Sequence, residues 1–395
     1  MIKVILRPGK EEPLRRFHPW VFSGAIGRID GETADGDVVE VFDKKGNRMG
    51  AGHFHHGSIA VRILSFEPAD LQNRAFWEGK LAEAKRVRET SLEAPARHAY
   101  RLVHGEGDGL PGLVVDIYGA TAVVQCHSIG MHRQQELIAE ALRNVYGGSL
   151  HAVYDKSRES LPPNYAARQT DGYIWSQGKT PDSEAIVTEH GIRFKVNWET
   201  GQKTGFFLDQ RDNRRLLAQF VPGKTVLNAF CYTGGFSCYA LHAGAASVHS
   251  VDISAKAMEL TAENAALIAP YPGEHLCFTE DVMRFLKNTD RQYEVMVVDP
   301  PAFAKSLDKR HNAVQGYKRL NAAAMEKVAS GGILFTFSCS QVVDRQLFYN
   351  TVVAAALEAG RKVRVLHHLT QGADHPVSLF HPEGAYLKGL VLYVA

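Results

Sequence analysis

The run from Lys224 to Asp252, KTVLNAFCYTGGFSCYALHAGAASVHSVD, limits what this chain can fold into more than any other stretch. Val226 and Leu227 predict the end of a buried strand, and Thr233-Gly234-Gly235 a tight turn. Phe236 to His242 predicts a helix, and Ser247 to Val251 a second strand that ends in Asp252. Strand, glycine turn, helix, strand and acid make one half of a doubly wound sheet that binds a nucleoside. An acid about twenty residues beyond the turn is within reach of a ribose diol.

With 395 residues the chain exceeds one ordinary core, and the length suggests about two or three domains. The five cysteines, Cys126, Cys231, Cys238, Cys277 and Cys339, are scattered and show no C-x-x-C spacing. That argues against a disulfide framework and against a zinc site, so no metal and a reducing cytoplasm are expected. No apolar run reaches the ~18 residues of a membrane span, and Met1 to Trp20 is too charged for a signal peptide. The net charge of +2 falls short of a strongly basic protein, so a nucleic-acid partner would have to be held by local patches.

Short strand-like runs at Lys3–Leu6, Val38–Phe42 and Ile59–Leu64, parted by glycine turns, predict a small β-rich module over residues 1–70. In it Lys3, Arg7, Lys10, Arg15, Arg16 and His18 accompany Phe17, Trp20 and Phe22. Phosphate contact plus base stacking needs this mixture, and a solvated basic edge over an aromatic core would give it too. Residues 71–185 predict a connecting helix over Asn73–Leu92, with Phe76, Leu81, Ala84 and Val87 inward, that ends before Pro95. A small α+β domain then follows, with strands at Leu113–Ile117, Ala122–Cys126 and Ala152–Asp155 and a helix at Gln134–Tyr146. Gly105, Gly107, Gly109 and Gly112 are better hairpin turns than a phosphate loop, because Pro111 intervenes and no helix follows. Pro181–Thr188 is the expected linker, and residues 186–395 alternate strands with helices as an α/β sheet does.

Chemistry-bearing residues gather in that last domain. A third strand, Leu276–Thr279, ends at Asp281, which either caps the next helix or accepts the amino group of an adenine. A fourth, Tyr293–Val298, runs into Asp299-Pro300-Pro301-Ala302-Phe303, a rigid rim where open α/β sheets bind ligands. Gly331-Gly332 turns into a fifth strand, Ile333–Phe337, that ends at Ser338-Cys339-Ser340. If the fourth and fifth strands are neighbours, ~5 Å apart, Asp299 and Cys339 share one crevice. Lys305, Lys309, Arg310, Lys318 and Arg319 would then favour the thiolate or hold phosphates, and one solvated helix face would account for them too. Upstream, Asp209 is a candidate helix N-cap before Arg211, Arg214 and Arg215, and the apolar-aromatic run Phe206-Phe207-Leu208 before the polar box could instead wall the nucleoside pocket, with Asp209 and Gln210 as cofactor contacts.

The turn chooses the nucleoside. Nicotinamide and flavin dinucleotides need G-x-G-x-x-G for close approach to pyrophosphate, and Asn228-Ala229-Phe230-Cys231-Tyr232-Thr233-Gly234-Gly235 does not supply it. S-adenosylmethionine has no phosphate, so a looser turn with Asn228, Phe230, Tyr232, Thr233, Gly234 and Gly235 suffices. Asp252, Asp281 and Asp299 then offer partners for its ribose, adenine and methionine ends. A methyltransferase is expected.

At this point the residues carry a family resemblance over nearly the whole chain. It resembles the bacterial ribosomal RNA cytosine-C5 methyltransferases, which have an N-terminal PUA domain and a Rossmann-like class I catalytic domain. Arg7-Pro8-Gly9 through His18-Pro19-Trp20-Val21-Phe22-Ser23-Gly24-Ala25 looks like the PUA opening, and His104–Gly112 like the family's α+β middle domain. Lys203–Arg214, Asn228–Ser237, Asp299–Phe303, Asp374-His375-Pro376 and Tyr386–Leu390 look like its catalytic domain. The resemblance implies Cys339 as a nucleophile toward a cytosine of large-subunit ribosomal RNA, with no membrane partner. It also suggests a homodimer, for which the sequence marks no interface. A thiolate that adds to C6 makes C5 nucleophilic enough to take a sulfonium methyl group, and Asp299 would hold the N3/N4 edge of the flipped base. Pro301 stands where two-cysteine relatives carry a second cysteine, which leaves enzyme release and the base that removes the C5 proton unassigned. Methylation of an RNA nitrogen is the enzymatic alternative. A non-catalytic RNA-binding or ribosome assembly factor is the alternative of another class.

Overall fold

The computed structural model describes residues 2–94, 98–178, 182–304 and 306–395. Pro95, the Pro181 end of the expected linker and Lys305 lie outside the described residues. The chain divides into two compact units: residues 1–187 with 196–208 and 373–384, and residues 188–195 with 209–372 and 385–395. The expected boundaries at 70/71 and 185/186 are drawn from the sequence, and the two units group the chain differently. The two N-terminal modules cluster as one unit, and two segments expected in the last domain belong to it.

The first unit holds two sheets. Six strands within residues 2–65 pair in the order Trp20–Phe22, Ile59–Ser65, Arg48–Phe54, Val38–Phe42, Ile2–Leu6, Ile26–Asp30, around a core that includes Val4, Val39, Val41 and Val61. Five more strands pair in the order Gly172–Ser176, Ala152–Asp155, Thr121–Cys126, Leu113–Tyr118, Ala99–His104. Strands 99–104 and 172–176 extend the expected pattern at its two edges. The expected connecting helix spans Arg74–Ser91, capped by Asn73, whose side chain accepts from the Ala75 amide. Of the expected face, Leu81 and Ala84 are buried and Phe76 packs partly buried against the core, whereas Val87 is exposed; Trp77 and Arg88 are the further buried residues.

Arg88 explains why the late segments join this unit. Its buried guanidinium pairs with both oxygens of Asp108 and donates to the carbonyls of Arg101 and Asp374, the last at 2.9 Å. The Asp374 carboxylate accepts from the Arg101 amide at 3.0 Å. Gly107 lets the turn Gly105–Asp108 close on this segment, because a Cβ there would lie 1.9 Å from the Pro376 carbonyl oxygen. The hairpin-turn expectation for the glycine run is thus borne out. Lys156 anchors the other late segment by donating to the carbonyls of Trp198, Glu199 and Gly201.

The second unit is built on a seven-stranded sheet, its strands numbered within it as β1 (Thr225–Ala229), β2 (Ser247–Asp252), β3 (Glu274–Thr279), β4 (Tyr293–Val298), β5 (Val328–Ser338), β6 (Val363–Leu369) and β7 (Lys388–Val394). The order is β3-β2-β1-β4-β5-β7-β6. The first five strands run parallel, and β7 is antiparallel to both β5 and β6. Near-continuous apolar runs such as Val295-Met296-Val297-Val298, all buried, suit parallel strands covered on both faces. Gly331-Gly332 lies inside β5 rather than before it, which corrects the expected turn. The glycine turn sits between β1 and the helix Gly235–His242, and its crossover returns to β2.

Beneath that turn lies a buried ion network. Glu189 accepts from Arg214 Nε and Nη2, each at 2.8 Å, and from the Tyr239 hydroxyl at 3.0 Å, with Arg211 Nε 3.5 Å away. Burial pushes the Glu189 carboxyl up, but Arg214 and Arg211 hold it below the usual carboxylate range. Its stabilising effect is therefore present at neutral pH and lost as pH falls through that depressed value. Glu189→Gln would leave two arginines buried without their counter-charge, so we expect a loss of about 3–5 kcal/mol. A lowered urea midpoint in far-UV circular dichroism would register it. An unchanged midpoint would mean that the network contributes nothing net.

Candidate functional site

The site is assembled from the carboxyl ends of β1, β2, β4 and β5. Its floor is the loop after β1, where Phe230, Tyr232 and Gly234 have φ of +59°, +47° and +78°. Left-handed backbone at two non-glycine residues costs of order 1–3 kcal/mol each, so the loop needs bracing. The Tyr232 amide donates to Asp252 Oδ2 at 3.0 Å, and the Cys231 amide to the Val251 carbonyl at 3.1 Å. From the helix Ala255–Leu267, the Thr261 hydroxyl donates to the Tyr232 carbonyl at 2.8 Å and Asn264 to the Thr233 carbonyl at 2.9 Å. Only glycine fits at 234, since a Cβ would meet Thr261 Cγ2 at 2.7 Å. Arg214 lies under Gly235, its Cδ 3.2 Å from where a Cβ would be.

Asn228, at the end of β1, is buried. Its amide donates to Ser237 at 2.8 Å, while its Oδ1 has no hydrogen-bond partner among the described residues. Asp252 is partly buried; its Oδ2 braces the β1 loop, while Oδ1 accepts from the Ser254 amide of its own turn at 3.0 Å. Asp281 is exposed and caps the helix Val282–Asn288, accepting from the Arg284 amide at 2.9 Å. The cap reading therefore holds for its Oδ1.

Asp209 is not the helix N-cap that its position suggested. A 3-10 turn, Leu208–Gln210, precedes the helix Arg211–Leu217, and Gln210 occupies the cap position without a side-chain cap bond. The Asp209 carboxylate accepts instead from the Tyr386 hydroxyl at 2.6 Å, and its buried Oδ1 has no hydrogen-bond partner. Gln210 is buried, with its amide donating to Asp299 Oδ2 at 3.0 Å and its carbonyl accepting from Asn213 at 2.6 Å. One turn thus positions two of the polar groups next to Asp299.

β4 and β5 are neighbours in parallel register, Val298 opposite Thr336, so Asp299 and Cys339 follow adjacent strand ends. Burial pushes the Asp299 carboxyl up to about 7, reinforced by the Asp209 charge. It pushes the Cys339 thiol up to about 11, reinforced by Asp299 and Asp209, with Lys388 acting the other way. Of the basic run after Pro301, Lys318 pairs with Glu358 at 2.5 Å, and among the described residues Lys388 is the cation that favours the thiolate. The Ser340 hydroxyl donates to the Ala304 carbonyl at 2.6 Å and so ties the strand-end turn to the Asp-Pro-Pro loop. Phe303 closes that loop against Tyr317, ring centroids 4.6 Å apart.

Tyr386 and Lys388 were quoted from the sequence only as part of a motif, with no role. Strand pairing was the missing signal, because β7 returns antiparallel beside β5 and sets Lys388 opposite Ser338.

The residues suit S-adenosylmethionine. Its ammonium, ribose and adenine amino groups are donors, and the site offers buried acceptors without protein partners at Asn228 and Asp209. Two neighbouring carboxyl groups, Asp209 and Asp299, favour a cationic guest. In the first unit, the basic-aromatic mixture forms a surface cluster in which Phe17 and Phe22 are exposed, Phe17 meets Phe380 at 5.3 Å and Trp20 meets His381 at 4.4 Å. Arg15 in the same segment lies 3.8 Å from Glu11, Glu12 and Asp43.

Comparison with known proteins agrees with this construction. Residues 4–66 match the PUA-like domain family, and residues 101–376 match the S-adenosylmethionine-dependent methyltransferase family. The chain is 38% identical over 394 residues to the ribosomal RNA large subunit methyltransferase I of Aeromonas hydrophila, covering 98% of each. It is 36% identical over 397 residues to the protein of that name in Escherichia coli, covering 100% of this chain and 99% of the other. A methyltransferase solved in complex with SAH superposes over 100% of both chains with TM-score 0.85 at 23% identity, a likeness of fold.

Proposed function

The chain belongs to the S-adenosylmethionine-dependent methyltransferase family, and from that premise we propose that it methylates C5 of a cytosine in large-subunit ribosomal RNA through a covalent Cys339 adduct. The observation that carries this reading is the pairing of Cys339 with Asp299 at adjacent strand ends beside the β1 loop. The names of the relatives supply the RNA class.

S-adenosylmethionine supplies an electrophilic methyl group, and Asn228, Asp209, the Phe230–Gly235 loop, Asp252 and Asp281 are the residues that would hold it. Asp299, with its carboxyl raised to about 7, is about half protonated at neutral pH, and the protonated form can share its proton with cytosine N3. That proton offsets the charge which builds on the ring as the Cys339 sulfur bonds to C6. Gln210, fixed by Asn213, holds the Asp299 carboxyl in one orientation. The aromatic cluster of the first unit offers stacking faces for unpaired bases of the RNA.

Mapping 5-methylcytosine in ribosomal RNA from cells with and without this protein tests the reading. One large-subunit cytosine should lose its methyl group and regain it with the wild-type chain but not with Cys339→Ala. An unchanged 5-methylcytosine map would refute the assignment.

A further inference from the structure

From the pairing of β7 with β5 we infer that Lys388 takes the proton of the Cys339 thiol before attack and returns it when the sulfur leaves. The inference rests on the nucleophile proposed above and fills the release step that Pro301, standing in place of a second cysteine, leaves unassigned.

Lys388 begins β7 opposite Ser338, the last residue of β5, with Cys339 next along the chain. Its side chain is buried, and Nζ donates to the Ser340 carbonyl at 2.7 Å, so it grips the peptide just past the thiol. Ser340 is held from its other side by the Ala304 carbonyl, which leaves the turn little freedom. A buried ammonium with no carboxylate bonded to it is uncommon. Burial lowers Lys388 to about 8; Arg345 adds to this, while Cys339 and Asp344 oppose it. Cys339 is faced by Asp299, Asp209 and Lys388, and of these only Lys388 favours the thiolate.

The proton balance closes. The Sγ–H bond breaks and its proton goes to the Nζ lone pair, while sulfur keeps the electron pair and bonds to C6. After methyl transfer, loss of the C5 proton to solvent water restores the C5=C6 bond and breaks Sγ–C6. The departing thiolate then takes the proton back from Nζ. Lys388 thus ends as the amine and Cys339 as the thiol.

Alkylation by iodoacetamide, followed at Cys339 by peptide mass spectrometry across pH 6–10, tests this without RNA. The exposed Cys277 serves as internal control. Lys388→Met should slow Cys339 alkylation about tenfold at pH 8, the effect of one pKa unit, and leave Cys277 unchanged. An unaltered Cys339 profile in a folded Lys388→Met protein overturns the inference. Lys388→Arg keeps the cation but cannot release a proton, and it decides the matter if the methionine variant does not fold. It should alkylate within about twofold of wild type yet methylate at least about tenfold more slowly, without the inflection near pH 8. Wild-type methylation by Lys388→Arg would overturn the inference as well. The two readings fail separately: an active Cys339→Ala sinks the nucleophile, whereas indifferent lysine variants beside an inactive Cys339→Ala sink only the lysine.

Discussion

Cys339→Ala is expected to lower methyl transfer by more than about 10³-fold while S-adenosylmethionine affinity stays within about twofold. The size follows from covalent catalysis, because without addition at C6 the C5 carbon has too little electron density to displace a methyl group, and no other group of the site supplies it. The intact affinity follows from geometry: the groups suited to the methyl donor lie on the β1 loop, β2 and the Leu208–Gln210 turn, none of which contains Cys339. Isothermal titration and a radiolabelled methyl assay would separate the two quantities. RNA carrying 5-fluorocytidine gives a second readout, since fluorine at C5 cannot leave as a proton. The wild-type protein should form a denaturation-resistant adduct, and the alanine variant should form none. An adduct that survives the substitution would point to another nucleophile.

Asp299→Asn is the second large effect, and it moves three observables in different directions. Methylation should fall by about 10²–10³-fold, because an amide can donate to N3 but cannot give up a proton as the ring becomes negative. Stability should move the other way. The Asp299 carboxyl is raised in the folded state to about 7, so the folded protein favours its protonated form, and that contribution is lost as pH rises through about 7. Asparagine carries no charge to bury, so the variant should nearly equal wild type at pH 4, gain on it as pH rises from about 4 to about 7, and hold a gain of up to about 4 kcal/mol at pH 8. The thiol should also become more reactive, because one of the two carboxylates that oppose its ionisation is gone. A variant that lost activity with neither of the other changes would argue that Asp299 is needed only for packing.

The parts of the site legible in the sequence are those written in short-range order. Strand, glycine turn, helix and acid follow one another between Lys224 and Asp252, and apolar runs that stop at Asp299 and Cys339 mark strand ends without any knowledge of pairing. Lys388 was invisible as a participant because its role arises from an antiparallel return that brings residue 388 opposite residue 338. Asp209 was misassigned because an acid before a helix satisfies the N-cap pattern equally well when a 3-10 turn intervenes, and only Tyr386 shows where the carboxylate goes. Val87, expected inward on the connecting helix, is exposed while Arg88 is buried, for a related reason. Scoring Val87 as apolar and Arg88 as polar hides a guanidinium whose partners, Asp108 and the Asp374 carbonyl, are supplied from elsewhere in the chain. The thiolate was expected to be helped by the nearest basic residues in sequence, and burial with two acids reversed that expectation.

The attachment of residues 373–384 to the first unit bears on how the protein is made. A growing chain that has emerged to residue 187 already carries Arg88 with its partner Asp108, and Arg101, but the Asp374 groups that Arg88 and Arg101 bind are nearly two hundred residues from being synthesised. At ~5–20 residues per second that interval is roughly 10–40 s. During it a guanidinium meant for a dry interior has water as a partner, and the N-terminal half cannot reach its final packing. Folding of the first unit is thereby tied to completion of the whole polypeptide, and a nascent or prematurely terminated chain would remain open to proteases and chaperones throughout.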